Sequence, residues 1–479
     1  MKRFFAVIFI FCVFYTDFTL AKDITLPSMG SDSSKRLSAE DEKVLGDAFM
    51  RSLRLQLPVS EDPEISEYIW HLGYKLVATS SFKEKPFHFF IVNQPSINAF
   101  AGPAGYIGIN AGLILATENE SEIAAVLAHE IAHITQRHLD RAFNTAEKMS
   151  LPTAAAIVAA IILGGQNANI AEAALAATIA ANIQSQLNFS REHEMEADHI
   201  GIQILTKAQF NAEAMPTFFE RLQQNERLFD VQVPEFLRTH PVTLTRISES
   251  RARSAQYPNN PNKFSDDYIL IKEKLRVAMS QSPKELINYY EAMLDDALTR
   301  RKKIATLYGY ANVLLITNKY EKAKNALNKL LRIDKKRIPY IVLQAEIEFN
   351  LGNNKLTQDI YEAGLMLHPN NKNLSLSYAA TLLQMNKPQL AKQYLTPLLK
   401  DRPSPIVYEL LSKAAGETNK PGAALQMLAE YYFLYAQTHT AIDQLGLALR
   451  QPDTTPAMAG QIQKRINELK KTALAEQQL

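Results

Sequence analysis

Apolar residues recur at helical spacing along most of the chain. Val44, Leu45, Phe49, Leu53 and Leu57 mark one face of a helix opening at Ser38, with Glu40, Asp41 and Glu42 as an acidic first turn. A second helix is expected from Pro63 to Ala78, with the single tryptophan, Trp70, as a packing residue. Phe87 to Asn93 alternates instead and is aromatic and β-branched, which predicts a strand. Residues 98–109 read as a strand, a Gly/Pro turn and another strand. One reading is an ordinary hairpin. The other makes one strand the rim of a cleft, where an extended peptide adds through main-chain hydrogen bonds. Ser121 to Thr135 then forms an apolar helical run with no Gly or Pro. Between Leu151 and Leu187, two Ala/Ile-rich segments flank Gly164-Gly165-Gln166-Asn167-Ala168-Asn169. Each is too short to cross a bilayer. They predict an apolar helical hairpin, read as buried scaffold or as a lid or membrane-contacting flap; the flap reading adds peripheral membrane association. Helices are expected again up to about Lys207 and from Pro216.

A break centred on Tyr257-Pro258-Asn259-Asn260-Pro261-Asn262 separates this half from a repeating one. Ala311, Ala345 and Ala379 are spaced by 34 residues, and Ala414 falls one past the next step. Asn318, Gly352 and Asn386 occupy turns at the same interval, with Lys420 next. This is the tetratricopeptide period, a helix–turn–helix unit that stacks into a solenoid and binds proteins on its concave face. Roughly four or five units are expected, ending in a polar cap.

Composition narrows the setting. In 479 residues, Lys plus Arg is 52 against Asp plus Glu at 50, so no basic excess points to nucleic acid. Lys2-Arg3, the apolar run Phe4 to Tyr15 and Thr19-Leu20-Ala21 read as an export signal cleaved before Lys22, with an uncleaved anchor as the alternative. The only cysteine, Cys12, lies inside that signal. The mature chain then has neither disulfides nor thiolate ligands, and any metal falls to His and carboxylates. An exported, cysteine-free, repeat-bearing chain of this kind points to the bacterial periplasm.

The chemistry lies in His129-Glu130-Ile131-Ala132-His133. Residues four apart share a helix face, so both imidazoles point one way and offer two corners of a tetrahedral zinc site, with Glu130 beside the metal's water. A third ligand and a carboxylate to orient a ligand His are still needed. A later helical stretch holding Glu194 and Asp198, also four apart, supplies both: Glu194 to the metal, Asp198 to the far nitrogen of a ligand His. Two imidazoles favour zinc over manganese or magnesium.

H-E-x-x-H, followed some sixty residues later by S-R-x-x-E-x-E-A-D, resembles the gluzincin-type metallopeptidases of family M48. The resemblance implies a mainly α chain, with a zincin-like domain holding a small β-sheet followed by an α-solenoid. It implies one Zn²⁺ per chain, bound by His129, His133 and Glu194, with Glu130 as general base and Asp198 behind the ligands. His240-Pro241 to Arg246 resembles the family's H-P-x-x-x-x-R segment. His240 is read either as a satisfied structural residue or as reaching the cleft. There it, or Arg246, binds zinc in a resting state or stabilises an oxyanion. His138, five past His133, is expected on another face and solvated. His193 and His199 are read as surface residues or supports, and His71, His88, His368 and His439 receive no role.

The expected parse is a signal (1–21), a flexible lead-in (22–37), a metallopeptidase domain (38–256), a linker (257–266) and the repeats (267–479). The implied function is a periplasmic endopeptidase with a chaperone-like role in outer-membrane β-barrel quality control. Its substrates would be misfolded or stalled outer-membrane proteins, and its repeats would dock on the outer-membrane assembly machinery. The alternative is a repeat-bearing chaperone or adaptor whose zinc domain is latent or structural.

Overall fold

The structure is a computed structural model that describes residues 38–80, 86–138, 155, 158, 159, 191–229, 235–258, 260, 261, 265–296, 299–400 and 403–476. The expected signal and lead-in lie outside these residues, as does most of the apolar 151–187 stretch. Of that stretch Ala155, Val158 and Ala159 are described, buried in one cluster with Phe49, Leu53 and Phe90.

Helix α1 (Ala39–Gln56) starts where the Ser38 hydroxyl accepts from the Asp41 amide. Helix α2 (Pro63–Val77) starts where the Asp62 carboxylate accepts from the amides of Glu64 and Ile65. Its buried stripe is Ile65, Tyr68, Ile69, Leu72 and Leu76. Trp70 is not part of it, contrary to expectation. The stripe is complete without that position, so the indole lies 47% exposed against His71 and Tyr74.

Three strands follow: β1 (His88–Val92), β2 (Ala99–Ala101) and β3 (Tyr106–Asn110). Their order is β1-β3-β2, with β1 parallel and β2 antiparallel to β3. The hairpin therefore forms, and β2 is an edge. Its turn uses left-handed backbone at Ala104 and Gly105; a Cβ on Gly105 would lie 2.3 Å from the Pro86 carbonyl oxygen.

After the short α3 (Ala111–Ala116) comes α4 (Glu120–Thr135), capped by Asn119 and buried on every side from Glu120 to His133. Helix α5 (Arg191–Lys207) packs along it. Gly201 makes the close approach possible: a Cβ there would stand 3.2 Å from the His129 amide nitrogen. Helices α6 (Ala214–Phe229), α7 (Glu235–Thr239) and α8 (Leu244–Ser254) complete the surround.

Beyond the Pro/Asn-rich break lie α9 (Asp266–Ala278) and α10 (Pro283–Asp295). Helix pairs then follow. These are α11 (Arg300–Ile316) with α12 (Tyr320–Leu331), α13 (Ile338–Asn350) with α14 (Asn354–Leu367), and α15 (Lys372–Gln384) with α16 (Pro388–Leu395). The last are α17 (Pro405–Glu417) with α18 (Pro421–Leu434), and α19 (Thr438–Ala448) with α20 (Pro456–Glu476). The chain is mainly α with one small sheet. Ala311, Ala345, Ala379 and Ala414 are all fully buried.

The turn register departs from expectation once. Asn318, Gly352 and Asn386 are left-handed, but the next such residue is Asn419, not Lys420. Lys420 precedes Pro421, which keeps it out of helical backbone space, and Asn accepts the left-handed conformation more readily. Asn386-Lys387-Pro388 and Asn419-Lys420-Pro421 are one turn used twice.

A single apolar cluster runs from Ile65 on α2, through α4, to Ile347 on α13. Polar ties accompany it. Lys274 on α9 pairs with Asp62 and Glu64, and the Tyr308 hydroxyl donates to Glu64. Among the described residues, no helix is long and apolar enough to cross a membrane.

Candidate metal centre

His129 and His133 project from one face of α4 towards Glu194 on α5. His240, just past α7, completes a buried group whose ligand atoms all lie within 4.8 Å of one another. His129 Nε2 is 3.0 Å from His133 Nε2, 3.4 Å from His240 Nδ1 and 3.5 Å from Glu194 Oε2. Glu194 Oε1 is 3.0 Å from His240 Nδ1 and 3.4 Å from His133 Nε2. A tetrahedral zinc with bonds of about 2.0–2.1 Å has ligand–ligand edges of about 3.4 Å. The observed spacings match such a cage, and three imidazoles with one carboxylate are zinc donors.

Local structure explains how His240 arrives there. The Phe236 amide donates to the Ile97 carbonyl just before β2, which ties α7 to the sheet. The His240 ring then stacks on Phe236, centroids 4.9 Å apart. The Thr243 hydroxyl caps α8 by accepting from the Arg246 amide, which sets Arg246 in the first turn. Its guanidinium grips Asp198 through two contacts of 2.8 Å and stands 2.7 Å from Glu194 Oε2. Asp198 Oδ1 in turn faces His129 Nδ1 at 3.0 Å. Both His240 and Arg246 thus reach the cluster.

Glu130 is fully buried, its Oε1 3.6 Å from His240 Nε2. Among the described residues neither carboxylate oxygen has a side-chain hydrogen-bond partner. Burial pushes its pKa up, against the facing His240 and His129, while the Ala101 amide on edge strand β2 favours the charge. Burial also pushes Glu194 up, but the surrounding imidazoles, His240 first, hold it well below the usual carboxylate range. Asp198 is likewise held down, because Arg246 outweighs its burial. Burial disfavours a charged His129, yet Asp198 and Glu194 raise it to about 9; His133, dominated by burial, falls to about 3.

His138 is not solvated. Helix α4 ends at Thr135, and Arg137 is left-handed, φ 56°. Extrapolating the helical wheel past that point misplaces the ring. It turns back into the protein instead, buried, with Nδ1 2.9 Å from His133 Nδ1 and Nε2 3.1 Å from Glu196 Oε2. Burial and the neighbouring His133 lower its pKa to about 3. His193 stacks on it at 4.4 Å, whereas His199 lies beside Arg253. Glu196 went unread because its neighbours Glu194 and Asp198 already filled the expected roles.

Residues 63–254 match peptidase family M48. The beta-barrel assembly-enhancing protease of Escherichia coli K12 is 32% identical over 453 residues, 93% of this chain and 91% of that protein. The putative beta-barrel assembly-enhancing protease of Vibrio cholerae is 35% identical over 428 residues, 88% and 87% of the two chains. The mitochondrial metalloendopeptidase OMA1 of Schizosaccharomyces pombe is 29% identical over 185 residues, 38% of this chain and 50% of that protein. With likeness along nearly its whole length and a zinc-fitting cage in the matched region, the chain belongs to peptidase family M48 and is a zinc metalloendopeptidase.

Proposed function

We propose that His129, His133 and Glu194 hold the zinc, and that His240 is a fourth ligand which closes the centre at rest. The observation behind this is the closed spacing: four donors surround one point, whereas a catalytic zinc keeps a position for water. When bound, the metal supplies Lewis acidity to the scissile carbonyl and to water. Glu130 takes the proton of the attacking water and hands it to the leaving amine; its buried, upshifted carboxyl suits both halves of that exchange. Asp198, fixed by Arg246, orients the His129 ring. Edge strand β2, whose Ala101 amide bears on Glu130, receives the substrate as an added strand. His240 leaves its corner when substrate enters.

The wider role is periplasmic assembly and quality control of outer-membrane β-barrel proteins. Misfolded or stalled outer-membrane proteins are the substrates, and the helical repeats dock on the assembly machinery. Two things support this reading: the export-like start of the sequence, and the likeness to the beta-barrel assembly-enhancing proteases of Escherichia coli and Vibrio cholerae over most of their length. A closed centre equally suits a latent or structural zinc beneath a repeat-bearing adaptor, and one experiment separates the two. Zinc content and hydrolysis of an unfolded protein substrate are measured for full-length Glu130→Gln and His240→Ala. Glu130→Gln is expected to keep stoichiometric zinc and lose about 10²–10⁴-fold in rate. His240→Ala is expected to hold zinc less tightly and to cleave faster. A His240→Ala protein that keeps zinc and stays inert leaves the adaptor.

A further inference from the structure

The three-residue chain Glu196–His138–His133 ends on one imidazole of the zinc cage. We propose that His138 and Glu196 are positioning residues for the metal, fixing the tautomer and aim of His133 through a directed relay. The inference rests on the reading of His133 as a zinc ligand.

The direction follows from hydrogen bookkeeping. His133 presents Nε2 to the cage, 3.0 Å from His129 Nε2 and 3.4 Å from Glu194. A metal taken through Nε2 leaves the proton on Nδ1, and that nitrogen faces His138 Nδ1 at 2.9 Å. His138 Nδ1 must therefore accept. A neutral imidazole that accepts at Nδ1 carries its proton on Nε2, which here lies 3.1 Å from Glu196 Oε2. Glu196 accepts from His138, and His138 accepts from His133. Reversing the Glu196 bond sets the N–H groups of His138 and His133 against each other, and reversing the His133 bond moves its proton to the Nε2 that faces the metal. Stacking on His193 at 4.4 Å supports the His138 ring, and the left-handed backbone at Arg137 turns it back towards His133. Each imidazole from α4 then ends on an α5 carboxylate: His129 directly on Asp198, His133 through one intervening ring on Glu196. Such partners of a ligand His set its orientation and basicity, and losing one typically costs about 10–100-fold in metal affinity.

The test is the zinc dissociation constant of the full-length protein, measured by chelator competition, with melting of the zinc-free form alongside. His138→Phe keeps the ring shape and removes the acceptor; it is expected to weaken zinc about 10–100-fold. His138→Asn restores an acceptor at the Nδ1 position and is expected to recover most of that loss. Glu196→Ala, at a partly exposed side chain (28%), is expected to weaken zinc in the same direction by a smaller factor. The zinc-free melting point should be the same for Asn and Phe. Wild-type affinity in His138→Phe overturns the relay, as does equal loss in the Asn and Phe variants, which marks a packing role. Should His138→Phe fail to fold, Glu196→Ala decides alone: unchanged affinity there refutes the directed chain.

Discussion

Arg246 carries more of the centre than its position outside the zinc motifs implies. It is 2% exposed, grips Asp198 with two contacts, stands against Glu194 and donates to the Pro241 carbonyl that follows His240. Removing one partner from a buried ion cluster strands the other charges, at a cost of about 3–5 kcal/mol. Arg246→Ala is therefore expected to lower the urea midpoint markedly and weaken zinc binding together. Arg246→Lys should rescue little, because an ammonium cannot make the planar two-point grip. An Arg246→Ala protein with wild-type unfolding would show that the cluster does not depend on this residue. At this scale the grouping of His129 and His133 on α4 with Glu194 and Asp198 on α5 was legible because both pairs are spaced four apart on continuous helices. His138 was not, since one left-handed residue at Arg137 cancels the helical periodicity that such reading assumes. His240 and Arg246 stood as alternatives in the sequence, because their approach depends on how α7 is tethered to the β2 side.

Periodicity carried the helices themselves, and its failures are local. Trp70 shows that the largest apolar residue of a helix need not join its buried stripe. The Asn419 turn, one residue short of the 34-residue step from Asn386, shows that a repeat's turn can slip by one position. The turns also make a prediction at this scale. Asn386 is left-handed, φ 55°, between α15 and α16. A branched side chain there meets the full penalty of that conformation, roughly 1–2 kcal/mol, whereas glycine does not. Asn386→Val is expected to destabilise the protein by about that amount, and Asn386→Gly to stay within about 0.5 kcal/mol of wild type, measured by urea unfolding. Equal losses would show that the Asn side chain's own bonds, rather than its backbone tolerance, hold the turn.

Across the whole molecule, the sequence shows two kinds of pattern either side of a break, while the structure runs one core across it. That join is invisible to periodicity because it is built by pairs such as Glu64 with Tyr308, 244 residues apart. The seam leaves a cavity of about 310 Å³ lined by Glu61 and Pro63 from one side and by Glu346, Leu376, Thr381 and Ile406 from the other. Burial raises both of its carboxyls to about 7, for Glu61 against Arg54 and for Glu346 against Lys274. A carboxyl near 4.5 when unfolded and near 7 when folded costs nothing below the lower value, where both states are protonated. Stability is lost as pH rises through that window, since the unfolded chain ionises first. Above pH 7 the full cost applies, on the order of 1–3 kcal/mol for each group. Glu346→Gln removes one contribution while keeping the shape. Urea unfolding across a pH series is therefore expected to show the variant gaining on wild type between about pH 5 and 7, holding that gain at pH 8, and matching it near pH 4. A difference independent of pH would mean that Glu346 acts in this seam by packing alone.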